Sequence, residues 1–312
     1  MKAIRIHGYG DRSVLRGENA PEPSLLPHDV LVRVRAAGVN PADWQFRRGD
    51  FQAVAPLRFP AILGWDVAGT VARAGPEARG FVPGEAVFAM CDMGRDGAYA
   101  EFVAVRDEHL APAPRSLSLE HCAAVPLSAL TAWQALFDLG QLQPGQTVLV
   151  HGAAGSVGLF AVQMARARGA HVVSTASPAN HTWLQSLGAE RCLDYSLPRW
   201  TEGVRDVDLV LDGAGGPARK ELWSVLRPAG TFVAIAMPPA DPTAAESQGY
   251  RATTAQVVPS GERLRQIASM IDAGQLQVFV DSVFPLEDVA AAHQRSESRH
   301  ARGKVLLSIA PE

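Results

Sequence analysis

Long apolar runs are missing from this chain. No stretch approaches the roughly 18 consecutive apolar residues of a membrane-crossing helix, so no membrane span is expected. Cysteine is scarce: Cys91, Cys122 and Cys192 are far apart and odd in number among 312 residues. That argues against a disulfide scaffold and leads us to expect reduced thiols in a cytoplasmic protein. An excess of one charge is also lacking. The 29 Lys and Arg face 32 Asp and Glu, a net charge of −3 with no basic block, so nucleic acid is not an expected partner. The 28 glycines and 22 prolines gather in no low-complexity run and read as turns rather than disorder. Met1–Gly10 holds Lys2 and Arg5 but no apolar core, which fits a first strand and not a signal peptide.

What is present is an ordinary globular composition, 47% hydrophobic and 20% charged, at a length that suits two domains. Before about residue 120, short apolar runs alternate with Gly and Pro turns. Val30–Arg35 alternates like a half-buried strand, and Val67–Ala72, Ala86–Met90 and Tyr99–Val105 read as further strands. Helical periodicity is sparse there, and the segment is expected to form a small, mainly antiparallel β domain. From about Thr131 strands and helices alternate. Strands are expected at Val148–Val150, Val172–Thr175, Val207–Leu211 and Thr231–Ala236, and helices at Ser156–Arg168, Asn180–Leu187 and Pro217–Leu226. Such alternation implies a parallel sheet with helices on both faces. After residue 275, Val278–Phe284 reads as strand, Leu286–Arg295 as helix and Lys304–Ile309 as a last strand. Periodicity leaves open whether this segment extends the α/β sheet or returns to the first domain.

The sharpest motif is Val150-His-Gly-Ala-Ala-Gly-Ser-Val-Gly158, between an expected strand and an expected helix. Against the dinucleotide fingerprint GxGxxG, Ala153 takes the first place and Gly155 and Gly158 the other two. Gly155 lets a pyrophosphate approach the backbone, Gly158 lets the helix pack on the strand, and the helix N-terminus offers N–H groups to the anion. Gly152, Ala153, Ala154, Gly155, Ser156, Val157 and Gly158 are therefore the candidate cofactor loop. An NAD site usually places an acid roughly 20 residues on. Here Ser174-Thr-Ala-Ser-Pro178 has none, and Ser174 and Ser177 are expected to take a 2′-phosphate with help from His181, Arg191 or Arg199, so the expected cofactor is NADPH. No Gly-Lys-Ser/Thr follows the turn, which excludes a P-loop. No Tyr is followed four residues later by Lys, which removes the catalytic pair of short-chain dehydrogenases.

The order and spacing of several stretches resemble the medium-chain dehydrogenase/reductase superfamily, and within it the zinc-free quinone reductase branch. They are Ala37-Gly-Val-Asn-Pro-Ala-Asp43, Pro60-Ala-Ile-Leu-Gly-Trp-Asp-Val-Ala-Gly69, Gly97-Ala-Tyr-Ala-Glu-Phe102, Ala129-Leu-Thr-Ala-Trp133, the glycine turn, Leu187-Gly-Ala189 with Asp194-Tyr195, and Ala301-Arg-Gly-Lys-Val-Leu306. The resemblance covers nearly all of the chain. It implies an α/β fold class, a Rossmann doubly wound parallel sheet plus a GroES-like, mainly antiparallel β domain. The expected domains are 1–121 with 277–312, holding the substrate, and 122–276, holding the dinucleotide. It further implies an active site in the cleft between them and dimers or tetramers built through the edge of the nucleotide sheet, of which a homodimer is the expected assembly.

In zinc alcohol dehydrogenases of that superfamily the metal is held by a Cys in the first motif, a His in Gly-His-Glu and a later Cys. This sequence has Asn40 and Gly64-Trp65-Asp66 at the first two places, and one nearby thiol, Cys122, does not make a site. Amide and indole are poor zinc ligands, so no metal is expected. Without a Lewis acid, alcohol oxidation becomes hard, and a quinone or an α,β-unsaturated carbonyl is the easier hydride acceptor. By resemblance Asn40 sits near the nicotinamide and donates an N–H to the substrate oxygen, and Thr131 touches the nicotinamide. Asp43 belongs to the same motif, although holding its loop is the simpler role. Trp44, Trp65 and Phe279 are expected to wall the acceptor, with plain core packing as the alternative. Asp66 reads as a structural carboxylate. Tyr195, Gly213 in Asp212-Gly-Ala-Gly-Gly216, and Ala236 complete the expected cofactor contacts; His121 and His151 read as structural, with His151 close enough to the loop to touch the ribose. Rival readings are an alkene or enoyl reductase and a non-catalytic NADPH-binding protein.

Overall fold

The computed structural model describes residues 1–309 of the chain. They divide into two units, Met1–Leu127 together with the chain from Pro259 onward, and Ser128–Val258.

The spine of the first unit is the strand Asp29–Val39, of which only Arg33 is exposed. Leu31 is as buried as Val30 and Val32, so both faces are covered rather than one. This strand pairs antiparallel with Asp66–Ala74 along its length, with Phe102–Arg106 over its first half and with Lys304–Ser308 over its second. The sheet order is Val280–Pro285, Lys304–Ser308, Asp29–Val39, Asp66–Ala74, Ala86–Met90, Leu110–Pro112. Lys2–Ile6 is a strand as expected, in a small antiparallel sheet with Arg16–Asn19 and Ala61–Ile62. The last strand thus lies in the first unit, as the family resemblance implies.

One helix of this unit went unread in the sequence, Pro41–Arg48. Its signals are local: Asn40 at the N-cap, Pro41 at the first helical position, and Asp43 three residues on, whose carboxylate accepts the Asn40 N–H. Gly49, at φ 85°, ends it. A second unread helix, Gly261–Asp272, packs on Leu110–Pro112. Arg265 donates to the Leu110 carbonyl and Asp272 accepts from the Ser116 N–H. Residues 259–276 therefore go with the first unit, and the boundaries fall at 127/128 and 258/259 rather than at 121/122 and 276/277.

The second unit is a six-stranded, all-parallel sheet in the order Arg191–Leu193, His171–Thr175, Thr147–His151, Val207–Asp212, Leu226–Ala234, Arg251–Thr254. Numbered within the unit, that order is 3-2-1-4-5-6, the doubly wound arrangement. Its strands are apolar because helices cover both faces; Val148, Leu149, Val172, Val207 and Val210 are all buried. The helix Ser156–Ala167 buries Leu159 to Ala165 against it. The helix expected over Pro217–Leu226 is shorter, Arg219–Leu222 with one tighter turn to Val225, because Leu226 already belongs to the next strand.

Candidate active site

In the second unit the strand order reverses between Thr147–His151 and its neighbours, so the crevice for a ligand lies beyond the carboxyl ends of those strands. Register aligns Thr175, His151 and Asp212 there. Thr175 ties the turn: its hydroxyl meets His151 Nδ1 at 2.7 Å and accepts the Gly152 N–H at 3.2 Å, and its carbonyl accepts the Ala153 N–H at 3.1 Å. Burial holds the His151 imidazole below its ordinary pKa, against the charge of Asp212. Gly155 is the N-cap of Ser156–Ala167, with no side-chain cap, so the first amides of a twelve-residue helix are left for an anion. A Cβ on Gly158 would lie 2.5 Å from the Gly152 carbonyl oxygen and 2.6 Å from Ala153 Cα; one on Gly155 would meet nothing nearer than 3.5 Å. Gly158 is thus a packing glycine and Gly155 borders open space, as a pyrophosphate requires. Ala154, Ser156 and Val157 are half-buried around it.

The next loop is built by Asp212. Its buried carboxylate accepts the N–H groups of Ala214 and Gly215 and the guanidinium of Arg219. Arg219 also donates to the carbonyls of Ala236 and Pro238, while Gly213 N–H reaches the His151 carbonyl and Ala236 N–H that of Asp212. Gly213 and Ala236 are therefore brought to the same strand ends as the glycine turn. Arg219, the clamp between them, was missed; the only trace in the sequence is a basic residue seven places after the acid at the strand end.

On the adenosine side two expectations part. Ser174 is fully buried inside the sheet, its hydroxyl on the Arg191 carbonyl and Cys192 Sγ, and is not placed to take a phosphate. In a parallel strand covered on both faces, side chains of either parity are buried whatever their polarity, as Val172 to Thr175 are here. Ser177, beyond the strand, is exposed and accepts from Asn180 at 3.0 Å. His181 lies on the Ala176 carbonyl, Arg191 on that of Gly203, and Arg199 pairs with Glu202. Tyr195 is 47% exposed, edge-on to His151 at 6.3 Å.

In the first unit, a polar cluster surrounds Asn40. Its Nδ2 donates to Asp66 Oδ2 at 2.8 Å and its Oδ1 accepts from Lys304 Nζ at 2.5 Å. Lys304 Nζ also stands 2.6 Å from Asp66 Oδ2, and Asp66 Oδ1 accepts the Leu127 N–H. Asn40, Asp43, Asp66 and Lys304 are all buried. Burial pushes the Asp43 carboxyl up to about 7, with the Asp66 charge adding to it and the Asn40 N–H, Lys304 and Tyr99 opposing. Beyond Tyr99 lie His293, its Nε2 3.3 Å from the phenol, and the buried Arg47, which donates to His293 Nδ1 and to Glu297. Lys304 was quoted in the sequence only as part of a family stretch; nothing local marks it as the partner of a residue 264 positions away.

The expected aromatic walls are less uniform. Trp44 is core: its indole N–H donates to Ser296 and Arg48 lies over its ring. Trp65 is 1% exposed against Phe46, and its Nε1 has no partner among the described residues. Phe279 is half-buried and takes the Lys304 N–H on its carbonyl. Thr131, on Pro126–Trp133, is buried and belongs to the second unit, whereas Asn40 and Asp43 belong to the first. Among the described residues no three His, Cys, Asp or Glu gather as a metal-ligand set. Burial pushes the Cys122 thiol up to about 12 and that of Cys91 higher.

A family profile described as alcohol dehydrogenase GroES-like domain matches residues 26–115, and one described as zinc-binding dehydrogenase matches residues 187–307. The mitochondrial NAD(P)H oxidoreductase RTN4IP1 of Danio rerio is 33% identical, over 99% of this chain and 91% of its own length. The quinone oxidoreductase of Coxiella burnetii superposes with a TM-score of 0.91 at 28% identity, covering 99% of both chains. A mycobacterial protein, Rv1454c, solved in complex with NADPH, gives 0.87 at 30% identity, again over 99% of both. The two profiles match 26–115 and 187–307, and the relative and the solved folds extend the agreement over 99% of the chain. The chain belongs to the medium-chain dehydrogenase/reductase superfamily, in its quinone oxidoreductase branch, and is an oxidoreductase served by a nicotinamide cofactor.

Proposed function

We propose that the chain holds NADPH on the glycine turn and reduces a quinone or an α,β-unsaturated carbonyl without zinc. The observation that carries this reading is the cluster at Asn40. The residues at the family's zinc-ligand places are an amide and an indole, and the charge beside them is the protein's own ammonium, Lys304, 2.5 Å from Asn40 and 2.6 Å from Asp66. A carboxylate already neutralised by a lysine has little to offer a metal ion.

The uncapped helix at Gly155 and the space beside it fit a pyrophosphate, and the backbone near Gly213 and Ala236 fits the adjoining ribose. When bound there, the nicotinamide would supply the hydride. The acceptor's oxygen gains negative charge as the hydride arrives, and the second N–H of the Asn40 amide is the donor for it. A solvent proton completes the reduction. Preference for the 2′-phosphate rests on two features: no acid stands between Ser174 and Pro178, and Ser177 is exposed at the strand end.

Mixing the purified chain with NADPH and a simple benzoquinone, then an enone and a 2-alkenal, tests the reading. We expect NADPH absorbance to fall with the quinone or the enone, and NADPH to be preferred over NADH by at least about tenfold, the worth of one charge-assisted contact. Stoichiometric zinc in the purified protein, equal use of NADH, or no turnover would overturn it.

A further inference from the structure

Lys304 sets its side-chain nitrogen beside a buried carboxylate and a buried amide. It begins the strand Lys304–Ser308, is 2% exposed, and extends its ammonium into the protein rather than to water. Asn40 Oδ1 receives it at 2.5 Å and Asp66 Oδ2 stands 2.6 Å from it, and the same Asp66 oxygen accepts Asn40 Nδ2 at 2.8 Å. The three groups form a closed triangle, packed against backbone: a Cβ on Gly38 would lie 2.7 Å from both Asp66 Oδ2 and Lys304 Cε.

The triangle admits one arrangement. An ammonium only donates and a carboxylate only accepts, so the amide must turn its oxygen to Lys304 and its nitrogen to Asp66. The reverse orientation would set NH2 against NH3⁺ and carbonyl oxygen against carboxylate. The rotamer of Asn40, often ambiguous for an amide, is thus dictated by its neighbours. One N–H is taken by Asp66, and the second meets no acceptor among the described residues. The ammonium on the amide oxygen also draws electrons from the nitrogen, which strengthens that second N–H as a donor. A plain ion pair between Lys304 and Asp66 would need no third member, and buried pairs alone are weak evidence of a stabilising role.

We infer that Lys304 is a positioning residue for the reduction: with Asp66 it locks the Asn40 amide so that one N–H always faces the acceptor oxygen, and its charge sharpens that hydrogen bond. This rests on the reading that Asn40 meets the acceptor. The test compares Lys304→Met with the double variant Lys304→Met/Asp66→Asn. The single variant leaves an unpaired buried carboxylate and is expected to lose thermal stability. The double variant removes both charges, keeps an oxygen for the Leu127 N–H, and is expected to recover most of the melting temperature. Its kcat with a benzoquinone is expected to stay about tenfold to a hundredfold low, at the lower end of what a lost oxyanion donor costs, with the NADPH dissociation constant within about twofold of the parent. Recovery of kcat along with the melting temperature would overturn the inference and leave Lys304 a structural ion.

A second measurement needs no turnover. In ¹⁵N spectra of the unliganded chain, the Asn40 side-chain amide should give one sharp, exchange-protected pair of resonances, and a broadened or shifted pair in the double variant. Identical resonances in both would also overturn the clamp. A parent chain that reduces neither quinone nor enone while its spectra change as expected would sink the proposed function and not the clamp.

Discussion

Asp43 sets burial against charge. It is fully buried, yet it must accept the Asn40 N–H that starts the helix Pro41–Arg48. Loss of hydration raises its carboxyl to about 7, with Asp66 adding repulsion, and Tyr99 beside it is raised well above its ordinary value by burial first and the Asp43 charge second. His293, which burial lowers to about 3, stays neutral; because Arg47 donates to Nδ1, its proton is on Nε2, facing Tyr99. The two shifts act on stability with opposite signs. A raised carboxyl means that between about pH 4 and 7 the folded chain holds a proton the unfolded chain has lost, so this contribution falls as pH rises. A lowered imidazole means that the unfolded chain binds the extra proton below its ordinary value, so that contribution falls as pH drops. Asn in place of Asp43 keeps an oxygen for the cap and removes only the first effect. The stability of Asp43→Asn relative to the parent should therefore rise with pH by up to about 1.4 kcal/mol per unit between pH 4 and 7. Denaturation at a series of pH values measures it, and a difference that does not change with pH would refute the assignment.

At the scale of elements, the glycine turn separates two roles that its sequence presents alike. Gly158 is closed in by backbone atoms that have nowhere to go, whereas Gly155, at φ −78° and with open space, has a conformation any residue adopts. Gly158→Ala should lower stability by about 1–3 kcal/mol through overpacking between helix and strand. Gly155→Ala should leave the melting temperature alone and weaken NADPH binding, because the added methyl enters the space a pyrophosphate would fill. Calorimetry on both variants checks this; equal loss of stability in the two would be the failing result. The turn was legible because its physics is local, a strand, a tight loop and a helix start within nine residues. The Asn40 helix was legible in principle by the same kind of signal, Asn-Pro with Asp three places on, but its eight residues offer too little periodicity to stand out among strands. Ser174 misled because alternation in a doubly covered strand does not announce which hydroxyl turns inward. The Asn40–Asp66–Lys304 triangle joins three distant segments, which meet because both Lys304–Ser308 and Asp66–Ala74 pair antiparallel with Asp29–Val39.

For the whole molecule, two-domain composition and the strand–helix alternation were readable, while the boundary near 258 was not. The helix Gly261–Asp272 belongs to the first unit through packing on Leu110–Pro112, a contact between segments some 150 residues apart that no local pattern encodes. The same sheet that was easiest to read raises the question of assembly. Its last strand, Arg251–Thr254, is four residues long, pairs on one side with Leu226–Ala234, and is uncharged after Arg251. Proteins blunt such edges with charge, proline or a covering element, and three uncharged residues here do none of the first two. A two-fold axis beside this strand would pair it antiparallel with its copy and continue the sheet through both chains, a closed symmetric solution that leaves no further edge on that side. We therefore expect sedimentation equilibrium to give twice the chain mass. Thr253→Lys would set two ammonium groups nearly opposite each other across that axis, where like charges destabilise pairing, and should yield monomers that still bind NADPH. A parent chain of single mass, or a Thr253→Lys dimer as tight as the parent, would rule out this edge as the joint.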